Sequence, residues 1–193
     1  MVLPVLRGPF TVESYQRLAQ LGVLGEDHRV ELIDGQVVEM TPIGDRHASC
    51  VRRLHDLLAR QALAVAIIDV QNPVVLGRHD APQPDVAVLK RRAATVRESF
   101  RDGYPHHPRA ADILLVVEVA DTTLAYDRDV KMPLYARAGI PEAWLVDLGA
   151  DAITVYGGPQ PGGYRDVFTV TRDETLRPFL LPGVAITAAD ILD

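Results

Sequence analysis

The sequence predicts an α/β fold in which a mixed β-sheet is flanked by helices. Predicted strands outnumber predicted helices, and helical segments fall between strands both before and after an unbroken apolar run at residues 113–117. The chain has no glycine fingerprint such as GxGxxG or GxxxxGK(S/T), which argues against a doubly wound nucleotide fold. Its 193 residues suffice for one full core, and no linker or repeat divides them, so we expect a single domain over residues 1–193.

The N-terminal part of the chain predicts a helix, a hairpin and a second helix. The run TVESYQRLAQLG offers Thr11 as an N-cap and Gly22 just past its end, which is typical of a short helix. In RVELIDGQVVEM, two alternating runs flank Asp34-Gly35, a strong turn signal for a β-hairpin. Apolar residues recur at helical spacing in RHASCVRRLHDLLARQAL, so this segment is expected to be helical.

The remainder of the chain predicts further strands and two helices. The β-like runs AVAIIDV, PVVL and QPDVAVLK have prolines at their edges and precede the apolar run at 113–117. A helix is expected near residues 129–138, because Gly139 and Pro141 provide a stop. Pro133 requires that helix either to begin just before it or to bend there. AWLVD and AITVYG are expected to be antiparallel neighbours, and ITAADILD a short terminal helix.

Composition favours a soluble globular protein. Hydrophobic residues make up 48% and charged residues 24% of the chain, as in ordinary soluble domains. No apolar run approaches the roughly 20 residues that span a bilayer, and the first residues lack the features of a signal peptide. A single cysteine cannot form an internal disulfide, which fits a reducing compartment. We therefore expect a cytoplasmic protein.

The net charge of the chain limits how it can bind nucleic acid. A formal net charge of −6 weighs against a protein that coats nucleic acid through a strongly basic surface. It does not exclude an enzyme that cuts nucleic acid, because an acidic metal site lowers the net charge by itself. The segment KRRAATVRESFR, residues 90–101, is basic. It is interpreted either as a solvated charged surface or as a contact to a nucleic-acid backbone.

Two acids stand where a buried sheet is expected. The apolar run at 113–117 leads directly into Glu118, and burying an ionised carboxylate without a partner costs several kcal/mol or more. Asp85 opens the run DVAVL. If the two strands are neighbours, their carboxylates converge, and such a pair needs a proton or a cation. Mg²⁺ or Mn²⁺ suits these oxygen ligands, since no thiolate cluster favours zinc.

Lys131 is the candidate partner for these acids. It lies near the start of the helix that follows Glu118, so only a fold-back of the chain brings the two together. A lysine beside such a site can orient or deprotonate water and stabilise charge on a phosphoryl oxygen. Plainer interpretations stay open: Asp85 as a turn residue, Lys131 as an exposed helix lysine, and Glu118 as a structural ion-pair partner.

Four segments resemble a known family, the Uma-type restriction endonucleases, a branch of the PD-(D/E)XK nuclease-like superfamily. The similarity runs from about Thr11 to the C-terminus and rests on ELIDGQVVEM, QPDVAVL, VVEVADTTLAYDRDVKMPLYARAGIPEAWLVDL and LPGVAITAADIL. The resemblance implies a restriction-endonuclease-like α/β sheet over residues 1–193. It also implies a Mg²⁺-dependent DNA endonuclease, with Mn²⁺ as an alternative ion, that forms a C2 homodimer.

The resemblance also assigns roles to residues. Pro84-Asp85 matches the Pro-Asp element and Glu118 the second acid, so Asp85 and Glu118 are the expected metal ligands. Where the superfamily pattern has lysine two residues after that acid, this chain has Ala120. The resemblance implies that Lys131 is the displaced catalytic lysine. Glu31 matches a further acid from the N-terminal part, and its alternative is a cross-strand surface glutamate.

Several further residues are weaker candidates for the site. His47, at the start of the second helix, is interpreted either as a capping or surface histidine or as a residue that reaches the site. Asp127 and Arg128 stand where they would fix the loop that delivers Lys131. Cys50 is expected to be a buried structural cysteine, and Trp144 a core residue.

Three functions remain open from the sequence. The first is a Mg²⁺-dependent endonuclease that hydrolyses phosphodiester bonds in DNA, with Asp85, Glu118, Lys131 and Glu31 in its site. The second is a non-catalytic nucleic-acid-binding or interaction protein that keeps the nuclease fold, which the acidic net charge favours. The third is a metal-dependent hydrolase of another phosphoester. The complete set of acids and a lysine favours the first.

Overall fold

A computed structural model describes residues 8–24, 28–91 and 107–193. Residues 92–101 of the basic segment lie outside this part of the chain. Within the described residues, a six-stranded mixed sheet carries helices on both faces. The predicted fold class, an α/β sheet flanked by helices, is therefore confirmed.

The N-terminal helix and hairpin form as predicted. Helix α1 spans Val12–Gln20, and the Thr11 hydroxyl accepts a hydrogen bond of 3.2 Å from the Ser14 N–H in a capping box. Strands β1 (Val30–Ile33) and β2 (Gln36–Glu39) pair antiparallel around the Asp34-Gly35 turn. Both turn residues have positive φ, 46° and 74°, which is the conformation that a two-residue hairpin loop requires.

Helix α2, Asp45–Ala62, covers one face of the sheet. It packs against β3 (Ala66–Val70), β4 (Val86–Lys90) and β5 (Ile113–Ala120). The helical spacing seen in the sequence corresponds to the buried side chains Cys50, Val51, Leu54 and Leu58. The start of α2 is therefore held at one end of β4 and β5, which is where the site forms.

The sheet continues through β6 (Glu142–Asp147), β7 (Ala152–Gln160) and β8 (Gly163–Val170) in the order β3-β4-β5-β6-β7-β8. Strands β5 and β6 are parallel, and every other neighbouring pair is antiparallel. A parallel pair requires a crossover connection, and here a helical segment supplies it. That crossover carries Lys131 across the second face of the sheet.

The crossover consists of α3 (Leu124–Tyr126), a π-helical turn (Asp127–Lys131) and α4 (Met132–Arg137). Its buried side chains Met132 and Tyr135 pack with apolar residues of β4, β5 and β6. On the α2 face, the core is completed by the short strands β9 (Thr175–Leu176) and β10 (Ile186–Thr187) and by α5 (Ala188–Leu192).

Several sequence-based expectations differ from the structure. Strand β5 does not end at Glu118 but continues to Ala120, because Val119 and Ala120 keep the strand in the apolar interior. The crossover helix begins at Leu124, earlier than expected, and passes through Pro133. The run PVVL makes only an isolated bridge, from Val75 to Arg109, among the described residues.

Strand β8 was not predicted from the sequence. Its residues 165–169 are exposed, so the segment shows neither the alternation nor the apolar run by which strands are recognised. It forms because β7 offers it a paired edge. In the described part of the chain, no helix has both the length and the apolar character needed to cross a bilayer.

Candidate active site

Asp85 and Glu118 come together across β4 and β5. The strands pair antiparallel with Val86 opposite Val117, and continuing this register places Asp85 opposite Glu118. The condition under which the two carboxylates converge, that their strands are neighbours, is therefore met. Both acids are buried, with 7% of Asp85 and 2% of Glu118 exposed. Two buried carboxylates at opposed positions of neighbouring strands require positive charge or protons beside them.

Lys131 supplies that charge. Its Nζ lies 3.0 Å from Glu118 Oε1 and 3.4 Å from Glu31 Oε2, and its side chain is 4% exposed. The fold-back required for Lys131 to meet Glu118 therefore occurs. The alternative interpretation of Lys131 as an exposed helix lysine is wrong, because its ammonium is enclosed by carboxylates from two sheets.

The π-helical turn explains how Lys131 reaches this position. Pro133 has no N–H to donate to the carbonyl four residues earlier, and the N–H of Met132 bonds to the carbonyl of Asp127, five residues back. Asp127 and Lys131, at the two ends of the turn, are both buried. Single π-helical turns within α-helices are frequent at functional sites.

Glu31 joins the cluster from β1. Its Oε2 accepts a hydrogen bond of 3.2 Å from the Gln83 N–H, and its Oε1 accepts one of 3.2 Å from the Tyr126 hydroxyl. Only 2% of Glu31 is exposed, so its interpretation as a surface glutamate is wrong. The hairpin thus adds a third acid to the pair on the main sheet.

The charges of Glu118 and Lys131 are coupled. Burial raises the pKa of Glu118 well above its usual range, opposed by the Lys131 ammonium and by the Tyr135 hydroxyl, which donates to Glu118 Oε1. Burial acts to lower the pKa of Lys131, but the carboxylates of Glu118 and Glu31 outweigh it and the pKa rises. Both shifts favour keeping a proton within the pair. Since the amine is the stronger base, that proton resides on Lys131.

Asp85 is held by groups outside this pair. Its Oδ2 lies 3.0 Å from His47 Nε2 and accepts a hydrogen bond of 2.9 Å from the Val119 N–H, while Oδ1 accepts one of 3.2 Å from Gln71 Nε2. Burial acts to raise the pKa of Asp85, but His47 and the Val119 N–H outweigh it and the pKa is lowered. Asp85 is therefore a carboxylate at neutral pH.

His47 reaches the site rather than serving as a cap or a surface residue. It lies in the first turn of α2, and 15% of its side chain is exposed. Its Nε2 contacts Asp85, whereas its Nδ1 is buried and has no hydrogen-bond partner. The second of the two interpretations made from the sequence is therefore confirmed.

The other sequence candidates divide between site and scaffold. Asp127 is 5% exposed and accepts a hydrogen bond of 2.5 Å from the Thr123 hydroxyl, and burial raises its pKa. Arg128 does not join the site, because its guanidinium pairs with Asp129 at 2.8 Å on the surface. Cys50 and Trp144 are buried in the core as expected.

Four residues of the site were not found from the sequence. They hold the acids through side-chain or backbone hydrogen bonds: Gln71, Gln83, Tyr126 and Tyr135. Tyr135 does carry a signal, since it follows Lys131 by one helical turn on the same face. The other three come from separate segments, and nothing in their local sequence marks them.

A cavity of about 710 Å³ opens above the cluster. Acids outnumber bases among its lining residues: Glu31, Glu39, Asp85, Glu118, Asp121 and Asp127 against Arg29 and Lys131. Its rim comes from the segment between β2 and α2 on one side and from α3 on the other. The cavity therefore attracts cations, and the buried acids form its floor.

The donor set fits a hard divalent cation in its chemistry. Asp85, Glu118 and Glu31 offer carboxylate oxygens, which Mg²⁺ and Mn²⁺ prefer. In residues 8–24, 28–91 and 107–193, no three acidic, histidine or cysteine side chains are already grouped as metal ligands. The contacts of Asp85 with His47 and of Glu118 with Lys131 would have to loosen to admit an ion.

The α/β fold that holds these residues is shared with a solved structure. The structure is similar to the crystal structure titled "a putative nuclease belonging to DUF820" from Anabaena variabilis ATCC 29413, with a TM-score of 0.74 and 14% sequence identity. The match covers 95% of this chain and 98% of that one, and at this identity it shows the fold.

The family is shown by the sequence. Residues 12–189 match the Uma2 family, described as "Putative restriction endonuclease", and the chain belongs to this family. The resemblance inferred from sequence segments is thereby confirmed. A comparison with curated proteins finds no match.

Proposed function

We propose that the protein is a metal-dependent DNA endonuclease that hydrolyses phosphodiester bonds. The observation that carries this proposal is that Glu118 and Glu31 both contact the Lys131 ammonium on the floor of a cavity, with Asp85 opposite Glu118 on the neighbouring strand. Family membership supports the same reaction class. Buried ionisable residues with shifted pKa values that lie together in a cleft are candidates for a functional site.

Asp85 and Glu118 would hold the ion, Mg²⁺ or Mn²⁺, with Glu31 as a third acid nearby. When bound, the ion supplies Lewis-acid polarisation of the phosphoryl oxygen and lowers the pKa of water. Asp85 is suited to this because its pKa is lowered, so it is ionised at neutral pH. Glu118 would serve as a ligand once its contact with Lys131 loosens.

Lys131 would act on the phosphate. Its pKa is raised by the surrounding carboxylates, so it stays an ammonium at working pH. An ammonium at this position can donate a hydrogen bond to a phosphoryl oxygen and stabilise the charge that builds there. It would also orient the attacking water, whereas its raised pKa argues against a role as the base that deprotonates it. Glu31 and Glu118 hold its position in the absence of substrate.

One observation favours a second candidate, a non-catalytic binding protein. The ammonium of Lys131 lies between Glu31 and Glu118, and all three side chains are at most 4% exposed. A closed ion-pair cluster of this kind can serve structure alone. In that case the protein would bind a nucleic acid or another partner without turnover.

The test is cleavage of supercoiled plasmid and of single-stranded circular DNA with Mg²⁺ or Mn²⁺. Wild type is compared with Asp85→Asn, Lys131→Met and the surface control Asp166→Asn, each checked for folding by circular dichroism. Cleavage by wild type and Asp166→Asn alone supports the endonuclease. Cleavage retained by both site variants points to a contaminant, and no cleavage by folded wild type with either ion favours the second candidate.

We also propose a C2 homodimer, from the resemblance to nucleases that pair their sites. Sedimentation velocity across micromolar concentrations tests this. A second species at twice the monomer mass is expected, and a monomer throughout contradicts the proposal.

A further inference from the structure

The depth of the cavity limits what can reach its floor. Glu31 and Glu118 are each 2% exposed, and the ammonium of Lys131 lies between them. The volume of about 710 Å³ lies within the range of roughly 300–1,000 Å³ that is typical of pockets for small ligands. A site of this size suits one or two nucleotide units. Proteins that bind duplex DNA specifically instead usually bury a broad surface of roughly 1,000–2,500 Å².

One wall of the cavity carries several apolar side chains. The segment from β2 to the start of α2 contributes Val38, Met40, Pro42 and Ile43 to the lining, together with the polar residues Glu39 and Thr41. Ile43 is 42% exposed, so its apolar side chain is accessible to a ligand in the cavity. Ala125 and Tyr126 line the opposite side. With a cation held by the acidic floor, this arrangement would match a ligand that has a phosphate next to a flat apolar face.

The described walls are poorly suited to gripping a duplex backbone. Proteins hold duplex phosphates mainly through lysine, arginine and backbone N–H groups. Among the described residues that line the cavity, Arg29 is the arginine and Lys131 the lysine. Lys131 pairs with the buried acids, and Arg29 donates to the carbonyl of Thr41 at 2.9 Å. The bases of a duplex are stacked and paired, so their apolar faces would not be free to meet the wall.

We propose that this site takes an unpaired strand: the substrate is single-stranded DNA or an unpaired segment within a duplex. The scissile phosphate lies at Lys131, and a neighbouring base packs on the wall formed by Met40, Pro42 and Ile43. Unpairing exposes the faces of the base, which then bury against apolar side chains. This inference rests on the proposed endonuclease function and names its substrate class.

The first test compares three substrates built on one labelled DNA strand of about 30 nucleotides. The first is the strand alone, the second is the strand fully paired with its complement, and the third is a duplex with a central unpaired bubble. Single-turnover rates are measured with Mn²⁺ or Mg²⁺. We expect the single strand and the bubble to be cut at unpaired positions, and the full duplex at least tenfold more slowly. Duplex cleavage at the rate of the single strand overturns this inference but leaves the endonuclease intact. No cleavage of any of the three by folded protein overturns the endonuclease proposal, and the inference with it.

The second test addresses the wall. Ile43→Asp is compared with Val65→Asp, which introduces the same charge at a 61% exposed position outside the cavity lining. We expect Ile43→Asp to lower kcat/KM for the single strand by at least fivefold, mainly through KM, while Val65→Asp changes it less than twofold. Equal values for the two variants overturn the role of the wall.

Discussion

The ammonium of Lys131 lies 3.0 Å from Glu118 Oε1. Glu118 belongs to strand β5, and Lys131 belongs to the crossover that connects β5 to the parallel strand β6. The crossover from β5 to β6 has to pass over the sheet, and its π-helical turn directs Lys131 back to the strand that it has just left. The ammonium beside Glu118 thus comes from the crossover, whereas position 120, two residues after the acid, is an alanine.

Replacing Lys131 by methionine should slow cleavage strongly and destabilise the fold. Loss of a charge-stabilising donor typically costs roughly 10²–10³ in rate, and loss of one partner of a buried ion pair costs about 3–5 kcal/mol. Cleavage rates and chemical unfolding measure the two effects. Wild-type activity in this variant would show that Lys131 is not part of the active site.

The destabilisation by Lys131→Met should depend on pH. Without the ammonium, the pKa of Glu118 rises further above its value in the unfolded chain. A carboxyl with a raised folded pKa contributes stability below its unfolded pKa and loses it as pH rises through the folded pKa. The difference in free energy of unfolding between wild type and variant should therefore be larger at pH 8 than at pH 5. A pH-independent difference would show that Glu118 does not depend on Lys131.

Removing the imidazole of His47 should act through Asp85. His47 is the main group that offsets the effect of burial on the pKa of Asp85, so this pKa should rise in His47→Ala. The acidic limb of the pH profile of kcat/KM should then move to higher pH, with a loss of roughly tenfold at neutral pH. His47→Gln, which retains a side-chain donor, should recover part of both. An unshifted profile in His47→Ala would contradict the link to Asp85.

Mg²⁺ or Mn²⁺ should raise the melting temperature of the wild type. A ligand that binds the folded state stabilises it by about 2.7 kcal/mol at 100 times its Kd. The shift should be absent in Asp85→Asn and in Glu118→Gln, and present in Asp166→Asn, because only the first two remove a proposed ligand. Isothermal titration of the same variants gives the affinities. Equal shifts of the melting temperature in all four proteins would show that the ion binds outside the site formed by Asp85 and Glu118.

The single cysteine should be unreactive in the folded protein. Cys50 is fully buried, and burial raises the pKa of its thiol to about 11. Since the thiolate is the reactive form, labelling by a disulfide reagent at pH 8 should be at least 100-fold slower than in denaturant. Rapid labelling without denaturant would mean that the contact between α2 and α5 opens readily.

Much of the site can be found from the sequence because its acids interrupt apolar patterns. Glu118 follows a run that has to be buried, and Asp85 opens the neighbouring strand. The residues that hydrogen-bond to these acids cannot be recognised from a local sequence pattern. Gln71 and Gln83 hold Asp85 and Glu31 from irregular segments, where position depends on how the chain packs and not on any local period.

The sequence by itself determined the hairpin at Asp34-Gly35, the caps of α1, the apolar faces of α2 and the buried strand β5. In each, the local chemistry of the chain leaves few conformations. Only the tertiary structure decided that Glu31 is buried, that β8 pairs at the edge of the sheet, and that a π-helical turn carries Lys131 to Glu118. These features depend on contacts between residues far apart in the chain, where the cost of burying each charge is offset by a partner that no local pattern identifies.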